Sequence, residues 1–323
     1  DFPSSANTET FVAGLGYALF VRGNLLTTSA LWNLRGPINQ GNVTPVTLPS
    51  TFTSSGNAAN DGWNLVGNPY PSTIDWNAAA GWTKTNVGGT IYVRDNGTDQ
   101  FATWNGAVGV NGGTRYIPTG QAFWIQATNT PTLIANENVK VPGQQTTFFR
   151  ELALTDLLRV TLRRGDLRDE TVIHFRDDAK TDYDAETDSR KFNNSTFNLS
   201  SILTSGESLA INSSPFACSE PVRLNITNAA AGTYQLDFSE VETFDGDLDI
   251  ILTDNFLNKT VDIISTPQYE FAITSNPSSL GANRFSISFS DKAFADVLQF
   301  SSPQICEGEN ASITILNSRE DQS

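Results

Sequence analysis

One pattern limits what this chain can fold into: short apolar or alternating runs return about every ten residues, with Gly, Asn, Asp or Pro between them. LLRVTLR, TVIHF, SLAI, VRLNIT, TYQLDF, LDIILTD, TVDII, YEFAIT and RFSISF follow one another in the C-terminal half, and YALFV and TLIA extend the pattern towards the N-terminus. Few segments keep a helical period over ten residues. Strands of this length and spacing pack as antiparallel sandwiches or jelly rolls, so the sequence predicts an all-β protein.

The chain has 323 residues, more than one ordinary domain needs, which leads to an expectation of two main domains. Two composition shifts coincide near residues 142–150. Residues 1–148 hold seven acidic and six basic side chains, whereas residues 149–323 hold twenty-eight and fourteen. All six Trp lie in the first 124 residues, and Phe is the large aromatic afterwards. The predicted division is a Trp-rich sandwich or jelly roll at 1–145 and an acidic Ig-like sandwich of about seven strands at 146–298. Residues 299–323 read as a linker and the first strand of a further Ig-like domain. VPGQQTTFF, with one Gly, reads as a short and rigid connection.

Composition also excludes functions. A net charge of −15 repels phosphate backbones, so nucleic acid is not an expected partner. No apolar run reaches the length of a membrane span. The chain starts at Asp1, contains no Met and shows no signal-peptide pattern, so it reads as an internal piece of a larger protein. Cys218 and Cys306 are 88 positions apart, and spacing alone does not support a disulfide between them.

Catalytic chemistry finds few residues. The single histidine, His174 in TVIHF, reads as a strand residue, and no zinc or transition-metal ligand set can be assembled around it. Glycoside hydrolysis needs two carboxylates facing each other across a cleft, which sequence spacing cannot establish. The sequence requires no cofactor, and Ca2+ is the inorganic candidate. Asp182, Asp184, Glu186 and Asp188 alternate, so a strand would align them on one face and a loop could wrap them round an ion. Thr187 and Asn193 occupy the positions where an EF-hand needs Gly and Glu, and DGDLD and DNGTD have an equal claim to being turns. For sugar binding, which needs aromatic faces open to water, the candidates are Trp82, Trp104, Tyr92 and Tyr116. Trp63, Trp76 and Trp124 sit in apolar contexts and are expected to be buried.

The segment GWNLVGNPYPSTIDW, residues 62–76, predicts a short strand leaving abruptly at Asn68-Pro69-Tyr70-Pro71, with Ser72 or Thr73 capping a helical turn through Trp76. Together with IYVRDNG and YIPTGQAFWIQA, it resembles a recurrent module of large proteins exported by the type IX secretion system, found upstream of their sorting domains. Arg94 and Thr119 stand where that module commonly has Trp and Pro. FVAGLGYALFVRG resembles the strand that precedes the module, and ETVIHFRDDAKTDYDAETDSRKF resembles the region that follows, with Ser189 and Arg190 intervening before Lys191. Cys306-Glu307-Gly308 is similar to the opening of Ig-like repeats in long surface proteins.

The resemblance implies an extracellular or bacterial cell-surface location and a non-catalytic structural or adhesive segment. A carbohydrate-binding module, or an accessory region of a secreted enzyme, is the alternative. The implied partners are other domains of the same protein, and surface glycans or other surface proteins. The secretion machinery would be engaged only through a sorting domain outside this sequence.

Overall fold

A computed structural model describes residues 11–18, 36–38, 46–141, 154–216, 220–244 and 248–291. The linker 142–150, the third-domain segment 299–323, Trp32, Cys218, Cys306, and Asp245 and Asp247 of DGDLD lie outside them. The fold is all-β.

The N-terminal strands are β1 Val46–Thr47, β2 Trp63–Gly67, β3 Ile74–Asp75, β4 Trp82–Val87, β5 Ile91–Asp95, β6 Gln100–Trp104, β7 Gly109–Val110, β8 Tyr116–Ile117 and β9 Ala122–Ala135. All but β3 and β8, which pair with each other, join one seven-stranded sheet built around β9. This strand is fourteen residues long and hydrogen-bonds to β2, β5, β4 and β1 in turn. Its length lets successive stretches serve different partners, and within the β4 pairing Asn86, in a left-handed conformation, shifts the register between Thr85 and Val87. The core beneath contains Val66, Tyr70, Ile74, Trp76, Ile91, Trp104, Phe123, Ile125 and Leu133.

The corner after β2 is built differently from the sequence expectation. Asn68 ties it: its amide donates to the carbonyls of Ser72, Ile117 and Pro118, and its oxygen accepts from Tyr70 N–H. Residues 72–80 form no helical turn. Instead Ile74–Asp75 is the strand β3, and the Asp75 carboxylate accepts from Asn77 N–H at 2.8 Å and pairs bidentately with Arg115. A side-chain turn that already satisfies these groups removes the need for a capped helix. Gly62 is fixed by space: a Cβ there would lie 1.9 Å from the Ala127 carbonyl oxygen, and its φ is +70°.

The C-terminal strands are β10 Leu157–Arg164, β11 Leu167–Phe175, β12 Ser189–Arg190, β13 Asn198–Ile202, β14 Ser208–Ser214, β15 Val222–Thr227, β16 Gly232–Ser239, β17 Leu248–Asp254, β18 Lys259–Asp262, β19 Gln268–Ile273 and β20 Phe285–Asp291. They form a single eleven-stranded sheet, four strands more than the sequence predicted. The ribbon curls on itself, because β10, β11, β13, β15, β16, β17, β19 and β20 all place side chains in one core. Pairing is antiparallel except between β11 and β14. β19 alternates exposed and buried residues along its whole length, whereas β11 is buried continuously from Asp169 to Phe175. Its Ile173 and Phe175 enter the main core, and Val172 enters a second cluster with Val108 and Val110 of the N-terminal sheet. A strand covered on both faces has no side left to solvent, so Asp169, Glu170, Thr171 and His174 are buried along with its apolar residues.

Candidate functional site

Residues 183–194 run between the two sheets, with β12 paired to β14 of the C-terminal sheet while the segment lies along the N-terminal one. The approach is close at Gly89, whose N–H donates to the Ala185 carbonyl at 3.2 Å and where a Cβ would come within 2.9 Å of the Glu186 oxygen. Beyond it, the Thr90 hydroxyl is 3.2 Å from the Asp188 carbonyl and 2.9 Å from the Ser189 hydroxyl, and Asn105 donates to the Thr187 carbonyl at 2.6 Å. Phe101 N–H donates to the Asn194 side chain at 3.1 Å.

Two charged side chains secure this segment. Arg190 stacks on the Tyr183 ring at 3.4 Å and donates to the Gln126 side-chain oxygen and to Glu207, each at 2.7 Å. Lys191 pairs with Asp169, and both side chains are at most 5% exposed. Asp169 also accepts from Asn111 across the junction and from Leu199 N–H. Phe192 then inserts among the rings of the N-terminal sheet: stacked on Tyr92 at 4.5 Å, and edge-on to Trp63 at 4.5 Å and Phe101 at 4.9 Å.

A cleft of about 670 Å3 opens at this junction, lined by residues of both sheets including Trp63, Phe101, Arg190, Phe192 and Glu207. It lies within the roughly 300–1,000 Å3 range of small-molecule pockets. A smaller hollow of about 160 Å3 is lined by Trp104, Tyr116 and Gln121.

The predicted sugar-binding aromatics do not make a common open shelf. Tyr92 is 1% and Trp104 5% exposed, a correction to the expectation that they face water. The Trp104 indole donates to Asn77 and its ring belongs to the core, so polar sequence neighbours did not imply an exposed ring. Trp82 and Tyr116 are half-buried, with the Trp82 N–H donating to the Asp75 carbonyl. Trp63 and Trp124, where full burial was predicted, are likewise half-buried, while Trp76 is buried.

The acidic run is a loop with a turn, not a strand face. Asp182 and Glu186 are exposed, Asp184 pairs with Lys180, and Asp188 is buried. Asp188 points inward because its two oxygens accept from Asp184 N–H and Ser213 N–H, at 2.8 and 2.7 Å. Burial pushes its carboxyl up to about 6 against the pull of those two donors. Among the described residues no group of three His, Cys, Asp or Glu side chains is arranged to hold a metal ion. DNGTD forms the β5–β6 hairpin turn, in which Asp95 accepts from Gly97 N–H and the Thr98 hydroxyl.

His174 is buried in β11, with Nδ1 lacking a hydrogen-bond partner among the described residues. Desolvation, and then the charge of Arg176, hold its imidazole below the usual range, so it stays neutral.

A family model described as a domain of unknown function, DUF8693, matches residues 3–289, which spans both sheets and the junction between them. The chain belongs to the DUF8693 family. No curated protein and no solved structure matches it. The junction of this DUF8693 chain was only faintly marked in its sequence. Ser189 and Arg190, which interrupt the spacing before Lys191, are the strand β12 that meets Thr90 and Gln126. The Gly88-Gly89 pair marks where that strand's loop comes close.

Proposed function

We propose that the chain is a non-catalytic, rigid structural or adhesive segment of a large exported protein that works at the cell surface. One observation carries the reading: the two sheets are fastened by a folded segment inserted between them, with buried hydrogen bonds, the Lys191–Asp169 pair and the Phe192 ring. A hinge serving catalysis would need a junction that opens at low cost, whereas groups buried as these are must all be unpaired together. Export by the type IX route belongs to the same proposal and is supported by the resemblance in residues 62–127.

Spin labels at Thr128 and Asp166, both exposed, test the rigidity once Cys218 and Cys306 are replaced by Ser. The reading expects one narrow distance distribution; a broad or double distribution overturns it. Protease shaving of intact cells tests the location. Loss of the parent protein from shaved cells is the expected result, and full protection inside the cell refutes it.

A further inference from the structure

We propose that the junction cleft is a binding site for a neutral oligosaccharide, with Trp63 and Phe101 as its stacking faces and Asn60, Asn193 and Glu207 as its hydroxyl-recognising rim. This goes beyond the structural role above and can fail without it. None of the aromatics singled out in the sequence for sugar binding lines this cleft.

The rings are preorganised. The Trp63 indole donates to the Ala59 carbonyl at 2.9 Å, which fixes its plane, and Phe192 sits edge-on to both Trp63 and Phe101 while resting on the buried Tyr92. All three rings are half-buried and line a cleft of about 670 Å3, so part of each apolar surface is within reach of a ligand. Rings already held in place lose little freedom on binding.

The rim supplies the matching polar chemistry. Asn60 and Asn193 are exposed, and their carboxamides make no hydrogen bond within the described residues. Each offers a donor and an acceptor side by side, the pairing that a sugar hydroxyl can satisfy. Glu207 holds Arg190 through one oxygen, and its other oxygen lies 3.4 Å from the Ser205 hydroxyl, leaving acceptor capacity.

Charge decides between neutral and anionic ligands. The two cations lining the cleft are already neutralised, Arg190 by Glu207 and Lys191 by the buried Asp169. The chain as a whole carries −15. Among the described lining residues an anion would thus meet no unpaired cation, and the chain's net negative charge opposes its approach.

The test is a printed array of neutral and anionic glycans, followed by calorimetric titration of the wild type with the best neutral oligosaccharide. Shifts should be confined to the Trp63 indole signal and to amides of residues 190–193 and 205–208 in a heteronuclear spectrum. Ser205→Trp fills the cleft from an exposed position and should abolish binding without lowering the melting temperature. The double variant Asn60→Ala, Asn193→Ala should bind at least about tenfold more weakly, with its fold intact. A blank array, preference for sulfated or uronic glycans, or undiminished binding by Ser205→Trp would each overturn the proposal.

Discussion

Lys191 and Asp169 show at the scale of single residues how much the junction rests on a few groups. Asp169 has no exposed side-chain surface, so removing its cation leaves a buried carboxylate with only the Asn111 and Leu199 donors. Lys191→Ala should cost about 3–5 kcal/mol, read from denaturant midpoints at constant slope. His174 and Asp188 set opposite pH dependences. The folded-state value of His174 is lowered, so its contribution is present above the ordinary 6.5 and is lost as pH falls. Asp188 is raised from 3.8 to about 6, so its contribution is present below 3.8 and is lost as pH rises through about 6. His174→Gln should therefore flatten the loss of melting temperature on acidification below pH 6.5, and Asp188→Asn should steepen it between pH 6 and 4. Melting curves on a pH series separate the two. Neither effect is legible in the sequence, because in both the leading cause is burial, which the tertiary packing sets.

Whole strands were far more legible than single side chains. VRLNIT and LDIILTD are β15 and β17 to the residue, because apolar alternation is a local signal that the sheets preserve, and IYVRD of the motif IYVRDNG is β5. The short β12 carries no such signal: Ser189–Arg190 is polar, and it becomes strand only by pairing with β14. The partial burial of Trp63, against which Phe192 packs from the other half of the chain, and the burial of Trp104 in the core of its own sheet were illegible because each depends on contacts that sequence neighbours do not show. Phe192 is the clearest case, a Phe among polar neighbours whose ring partners Trp63, Tyr92, Phe101 and Trp124 all lie in the N-terminal sheet. Phe192→Ala should cost about 2–4 kcal/mol, below the range for fully enclosed rings, because Phe192 keeps some exposure. Scanning calorimetry should show one transition in the wild type and two in this variant; a single sharp transition in both would show that the ring does not couple the sheets.

For the molecule as a whole, charge and topology pull in different directions. The acidic excess falls in residues 149–323, so the larger sheet folds against its own repulsion. Raising salt from low ionic strength to about 0.15 M, where the Debye length shrinks to about 8 Å, should raise the melting temperature. An unchanged or lower value would show that surface ion pairs such as Arg163–Asp237 outweigh the net charge.

The inserted segment also bears on how this architecture can be inherited and cut. Each sheet has its own core, as two exchangeable parts would, yet residues 183–194 belong by sequence to one and make contacts with both. A recombination breakpoint or cloning boundary in the 142–153 connection would strip the cover from Tyr92, Trp63 and Phe101 on one product. The other product would carry Phe192 with no pocket to fill. Such halves present sticky aromatic surfaces, so either half made alone is expected to aggregate, and a cut that keeps both folded has to leave the two sheets on one piece.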